Sequence, residues 1–228
     1  MTRRTQADLQ RENEELRQRI AELEALEVVA EDALEKKVDA LRAMNNLLAE
    51  SIRSTTEEDL AQTALVEAQK VTGSAFGYIC EVNAQDRLDT IAISDTGWDA
   101  CRISDGRKLL MANDLPIRGI RGRVISDQQS MVFNNPVEHP DWIQPPEGHP
   151  EVTSFMGVPL EHEGRTIGSI GLANKVHGYT DDDQTAVENL STAFVAALMR
   201  MRSAVALRES EEQYRQLFEN MSSGVAVY

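Results

Sequence analysis

The chain has 228 residues, 41% hydrophobic and 27% charged, the make-up of a soluble chain with a real core rather than a disordered one. Asp and Glu outnumber Lys and Arg by 38 to 23, and the formal charge of −15 sets the chain against phosphate backbones, so no nucleic acid is expected as a partner. The apolar runs are too short to span a bilayer, no apolar stretch of a signal peptide follows Arg3 and Arg4, and the two cysteines, Cys80 and Cys101, form neither a disulfide framework nor a ligand spacing; a cytoplasmic protein without membrane contact is expected.

Residues 7–48 contain no Gly and no Pro, and apolar residues recur there with a seven-residue period. Leu9, Leu16, Leu23 and Ala30 form one series; Asn13, Ile20, Glu27, Leu34, Leu41 and Leu48 form the other. These read as d and a positions of a coiled coil, and the sustained heptads predict a parallel homodimer whose register is fixed by Asn13. Around Glu27 and Lys37 the pattern weakens, and Leu26, Val29 and Val38 suggest a competing register. The competing explanation is a long solvated helix packed on its own domain.

Ser54, Thr55 and Thr56 followed by Glu57 and Glu58 are a helix start, and Leu60, Ala64, Leu65, Ala68 and Val71 then share one face until Gly73 ends the helix. Alternating apolar residues predict strands over 75–82 and 87–94, with a turn between them. A short helix over 119–128 and a strand over 131–133 follow, then a long loop over 134–153 that includes Pro136, Pro140, Pro145 and Pro146. Strands over 155–160 and 166–173 are joined by Glu163 and Gly164, and Thr180 and Asp181 open a helix without internal Gly or Pro that runs to about 216. This order predicts an α+β fold: an antiparallel sheet with helices on one face, flanked by long N- and C-terminal coiled-coil helices.

The stretch from Phe155 through Gly157 and Pro159, the strand with Gly168 and Gly171, then Asn174, Lys175, Tyr179 and Asp183, resembles a GAF domain. Asn174, Lys175, Tyr179 and Asp183 are read as structural, tying the strand end to the helix start, with Lys175 paired to Asp183. A related Asn-Lys, Phe, Asp-Glu pattern marks cyclic-nucleotide GAF domains, but Tyr179 stands in place of the Phe and Gln184 in place of the Glu, so the support for a nucleotide is weak. Bilin-binding relatives carry a Cys-His pair that is absent from this sequence, so no bilin is expected; the cysteine cluster of GAF-type methionine sulfoxide reductases is not matched either. Glu209 to Met221, with Tyr214, Arg215, Leu217, Phe218, Glu219 and Asn220, then Gly224 to Tyr228, resembles the opening of a PAS domain. One strand cannot bury a face, so the sequence reads as part of a longer protein. The expected organisation is a coiled-coil helix over 1–50, a GAF domain over 51–200, and a linker helix with the start of a PAS domain over 201–228.

In GAF domains a pocket lies between the sheet and the loops covering it. Here that maps onto Tyr78, Cys80, Trp98, Asn134, Asn135, His139, Trp142, His149, Thr153 and Phe155. Aromatics to stack on and amides to hydrogen-bond suit a small-molecule ligand; ordinary core and lid packing would explain the same residues. His139 and His149 match no zinc spacing and read better as loop pins, so no metal is expected. Cys80 and Cys101 read as small buried hydrophobes rather than redox sensors. Arg118, Arg121 and Arg123, near Gly119 and Gly122, could hold an anion at a helix N-terminus, but without a Gly-rich phosphate signature after a strand a solvated helix face is preferred. No catalytic set is found, so the fragment reads as a non-catalytic sensory module of a dimeric, two-component-type signalling protein that relays ligand or partner binding to a downstream output domain such as a kinase or cyclase. The alternative is a ligand-free structural dimerisation scaffold.

Overall fold

The computed structural model describes residues 6–96, 102 and 113–224. The chain divides into two compact units, Met1–Leu41 and Arg42–Tyr228. Among its described residues the first unit is helix throughout. It belongs to α1, Gln6–Arg53, on which Leu9, Leu16, Ile20, Leu23, Leu34 and Leu41 are all exposed, as is Leu48 in the second unit.

In the second unit the end of α1 contributes Ala43 and Leu47 to the core, each at most 1% exposed. Ala43 and Leu47, rather than the heptad residue Leu48, are therefore what α1 buries in the core of the second unit. Helix α2, Glu57–Thr72, begins where the Thr56 hydroxyl accepts the Asp59 amide at 3.1 Å and ends at Gly73, whose φ of 69° only glycine adopts at no cost.

Among the described residues five strands follow: β1 (Phe76–Val82), β2 (Leu88–Ile93), β3 (Met131–Phe133), β4 (Phe155–His162) and β5 (Arg165–Ala173). Helix α3, Gly119–Ser126, lies between β2 and β3 in sequence, and α4, Asp181–Gly224, closes the chain. The sheet order is β2-β1-β5-β4-β3, antiparallel throughout. The β4–β5 hairpin turns on Glu163 and Gly164, both at positive φ (49° and 75°), the backbone twist a two-residue hairpin prefers.

The strand period sorts side chains onto two faces. Ile79, Met156, Val158, Leu160, Ile170 and Leu172 meet Leu60, Ala64, Leu65 and Ala68 of α2 and Val187, Leu190, Phe194 and Leu198 of α4 in the main core. α4 is long and apolar enough by length and composition to cross a bilayer. Of its apolar residues, Val187, Leu190, Phe194 and Leu198 are buried in the main core. The opposite face carries α3, whose Ile120 and Val124 pack on Phe155. The long helices thus share one face, while short α3 covers the other.

Where α4 leaves the core, Arg202 bridges two acids. It bonds Glu57 at the start of α2 (Nε–Oε1 2.9 Å) and Glu81 at the end of β1 (Nη1–Oε1 2.6 Å). The Arg202 hydrogen bond holds the Glu57 carboxyl below its ordinary pKa despite partial burial. Being depressed, that group contributes stability above the ordinary glutamate range, and the contribution is lost as pH falls through the lowered value. With about a third of each side chain exposed, solvent screens the pair and the contribution is small. Beyond this point nearly every residue over 203–219 is exposed, including Val205, Leu207, Tyr214, Leu217 and Phe218.

Candidate functional site

Between the α3 face of the sheet and the proline-rich loop lies a cavity of about 600 Å³. Its floor is built by β1 and its neighbours. Phe76 and Tyr78 alternate onto this face, and β2 adds Thr90 and Ile93. A register shift between Ile79 and Cys80 lets both β2 residues contribute: Thr90 lies opposite Cys80 and Ile93 opposite Tyr78. The walls come from Ile120 of α3 and from Trp142, Ile143, His149 and Val152 of the loop.

Tyr78 organises the floor. Its ring crosses the strand beside it and occupies the space where a Cβ on Gly171 would stand. The Arg121 guanidinium lies 5.2 Å from the ring centroid, within cation–π range. The Tyr78 hydroxyl is buried without a hydrogen-bond partner among the described residues. Burial pushes its pKa up, against a lowering by the Arg121 charge. The Ser169 hydroxyl sits 3.3 Å from the Cys80 sulfur.

Of the residues proposed from sequence, Tyr78, Trp142, His149 and Phe155 line this cavity. The others are placed elsewhere. Cys80 points to the same face, but it is sealed in a cluster with Leu88 and Ile125. Burial raises its thiol pKa, which suits a small hydrophobe rather than a reactive thiolate. Asn134 spends its amide on the Tyr179 backbone, accepting from N at 2.7 Å and donating to O at 3.0 Å. Asn135 precedes the 3₁₀ turn Pro136–Glu138. The His139 ring packs edge-on to Phe133 and its Nδ1 accepts the Asp141 amide at 3.2 Å. Thr153 gives its amide to the Asn174 side chain at 2.8 Å. Trp98 and Cys101 lie outside the described residues.

The His149 Nδ1 bonds the Pro150 carbonyl at 2.7 Å, which requires that nitrogen to carry the proton. Near the cup, Lys175 pairs with Asp183 at 2.6 Å, and Asp183 also accepts the Thr180 amide at 2.8 Å. The Tyr179 hydroxyl meets Ser74 at 2.9 Å, joining the end of α2 to the start of α4. Among the described residues no group of three or more His, Cys, Asp or Glu is arranged to hold a metal.

Residues 54–199 match the family model of the GAF domain. The chain belongs to the GAF domain family. The cavity therefore lies in a GAF cup, between the sheet and the segments that cover it. The chain is 21% identical over 189 residues to a methyl sulfide methyltransferase-associated sensor of Methanosarcina acetivorans, covering 82% of this chain and 18% of that protein. It spans less than a fifth of that sensor's length. Among solved structures, the GAF domain of a Coxiella burnetii phosphoenolpyruvate-protein phosphotransferase superposes with a TM-score of 0.62 at 13% identity, over 74% of this chain and 98% of that one. The free methionine-R-sulfoxide reductase of Neisseria meningitidis, solved with its substrate, gives 0.58 at 15% identity, over 72% and 91%. At these identities the likeness is one of fold.

Sequence reasoning set two cup residues aside. Arg118 and Arg121 both line the cavity, whereas Arg123 turns away to Asp127 and Asp141. Arg118 is the N-cap of α3 and Arg121 lies in its first turn, and their closeness in sequence was the signal available.

Proposed function

We infer that this GAF domain is the sensory module of a dimeric signalling protein, binding a small molecule in its cup and passing the occupied state to α4. The observation that carries this is the position of β1. It supplies Tyr78 to the cup on one face and, through Glu81, holds Arg202 of α4 on the other. A ligand that shifts β1 acts on the anchor of the departing helix without a further intermediary. Rigid helices with two packings of similar energy convert a small shift into a switch; the competing heptad registers near Glu27 to Lys37 fit such an element. The exposed leucines of α1, with Asn13 among them, support a parallel homodimer. The exposed end of α4, which resembles the opening of a PAS domain, supports an output module downstream. The module itself does no chemistry in this reading. A cup of about 600 Å³ counts against the ligand-free scaffold, in which side chains would fill it.

Native mass spectrometry of the full chain, followed by denaturing extraction, tests the reading. A dimer carrying a defined extra mass that leaves on denaturation is the expected result. A monomer contradicts the dimer, and a chain of bare mass that also binds no apolar probe contradicts the cup.

A further inference from the structure

We propose that the cup selects a small molecule with a flat apolar body and an oxyanion head, a carboxylate or a phosphate. This rests on the cup being a ligand site and adds the class of ligand. The body is specified by the walls. Tyr78, Trp142 and Phe155 offer aromatic surfaces, and Ile93, Ile120 and Val152 add further apolar surface.

The head is specified by charge. Apart from His149 and the neutral Tyr78, the titratable side chains of the described lining are Arg118 and Arg121, and no Asp or Glu joins them. In a chain of net charge −15 this is a local reversal of sign. Neither guanidinium has an ion-pair partner among the described residues, whereas Arg87, Arg123 and Arg202 all do. Arg121 lies over the Tyr78 ring, and with no carboxylate paired to it among the described residues its N–H donors are available to an oxyanion. Arg118 stands one turn away at the N-cap of α3, in extended conformation and without a side-chain cap, so the positive end of the helix adds to the same field. Two cations lining one cavity repel one another, and an anion bound there turns that cost into attraction.

The test uses two naphthalene probes that differ in one group. Anilinonaphthalene sulfonate carries an oxyanion; N-phenylnaphthylamine is its neutral counterpart. On the full chain the sulfonate is expected to bind at least about tenfold more tightly, the scale of one charge-assisted hydrogen bond. The double variant Arg118→Gln, Arg121→Gln is expected to lose that preference and to keep its affinity for the neutral probe. Val152→Trp, which fills the cup from the loop, is expected to abolish binding of both. Displacement by naphthoate or by naphthyl phosphate identifies the preferred head. Equal affinity for the two probes, an unchanged preference in the double variant, or displacement by neither acid overturns the ligand class while leaving a general apolar cup standing. Binding of neither probe, or binding that survives Val152→Trp, overturns the cup reading itself.

Discussion

Gly168→Ala is expected to destabilise the domain by about 3 kcal/mol and to lower its melting temperature by about 10 °C. A Cβ at this position would collide with the backbone carbonyl oxygen of Cys80 and stand 3.0 Å from the Glu81 Cα. Both atoms belong to β1, paired with β5 through the register Cys80↔Ser169 and Glu81↔Gly168, so neither can withdraw without opening the centre of the sheet. Gly171→Ala meets a different obstacle. There the added methyl runs into the Tyr78 ring, a side chain, and about 2 kcal/mol is expected. Truncating that ring separates the two cases. In a Tyr78→Ala background Gly171→Ala should cost at least about 1 kcal/mol less, while Gly168→Ala should cost the same as before. Thermal or urea unfolding of the six chains reads this directly. Rescue of both, or of neither, would show that the packing around Tyr78 is not as described.

Asp183→Ala is expected to cost a further large amount, about 3 kcal/mol in urea unfolding. The Asp183 side chain is 7% exposed and serves three groups at once. It binds the Lys175 ammonium, accepts the Thr180 amide and accepts the Thr180 hydroxyl at 2.8 Å. Its loss removes the acceptor for the Thr180 amide and hydroxyl from the capping box that opens α4, the helix that closes the main core, and leaves the Lys175 ammonium partly buried without its counter-charge. Lys175→Met should cost less. Lys175 is the more exposed partner, at 24%, and Asp183 would keep both Thr180 donors. Equal losses in the two variants would mean that the ion pair rather than the cap carries the stability.

Much of this architecture is legible in the sequence because period and punctuation agree. The heptads and the absence of Gly and Pro mark α1. Thr56, Glu57 and Glu58 at one end and Gly73 at the other delimit α2. Alternation identifies the strands that pair at the sheet centre, and Glu163 with Gly164 marks the hairpin. The cup is less legible, for physical reasons. Strand alternation places Tyr78 and Phe155 on the cup face, but the shift at Ile79 and Cys80 changes which β2 residues join them, and a bulge has no periodic signature. Loop direction is not periodic either. Trp142 and His149 reach the cavity, yet Asn134, His139 and Thr153, from the same segment, bond the loop and its neighbours. Arg118 and Arg121 look like an ordinary solvated helix face until the sheet beneath α3 is in place.

Occupancy of the cup must reach α4 if this GAF domain is a sensor, and amide hydrogen exchange on the full chain, with and without saturating anilinonaphthalene sulfonate, reads that most directly. The expected result is slower exchange in β1 and α3 together with altered exchange in α4 around Arg202, the latter abolished by Arg202→Gln. Protection confined to the cup, with α4 of the unmodified chain unchanged, would contradict the relay.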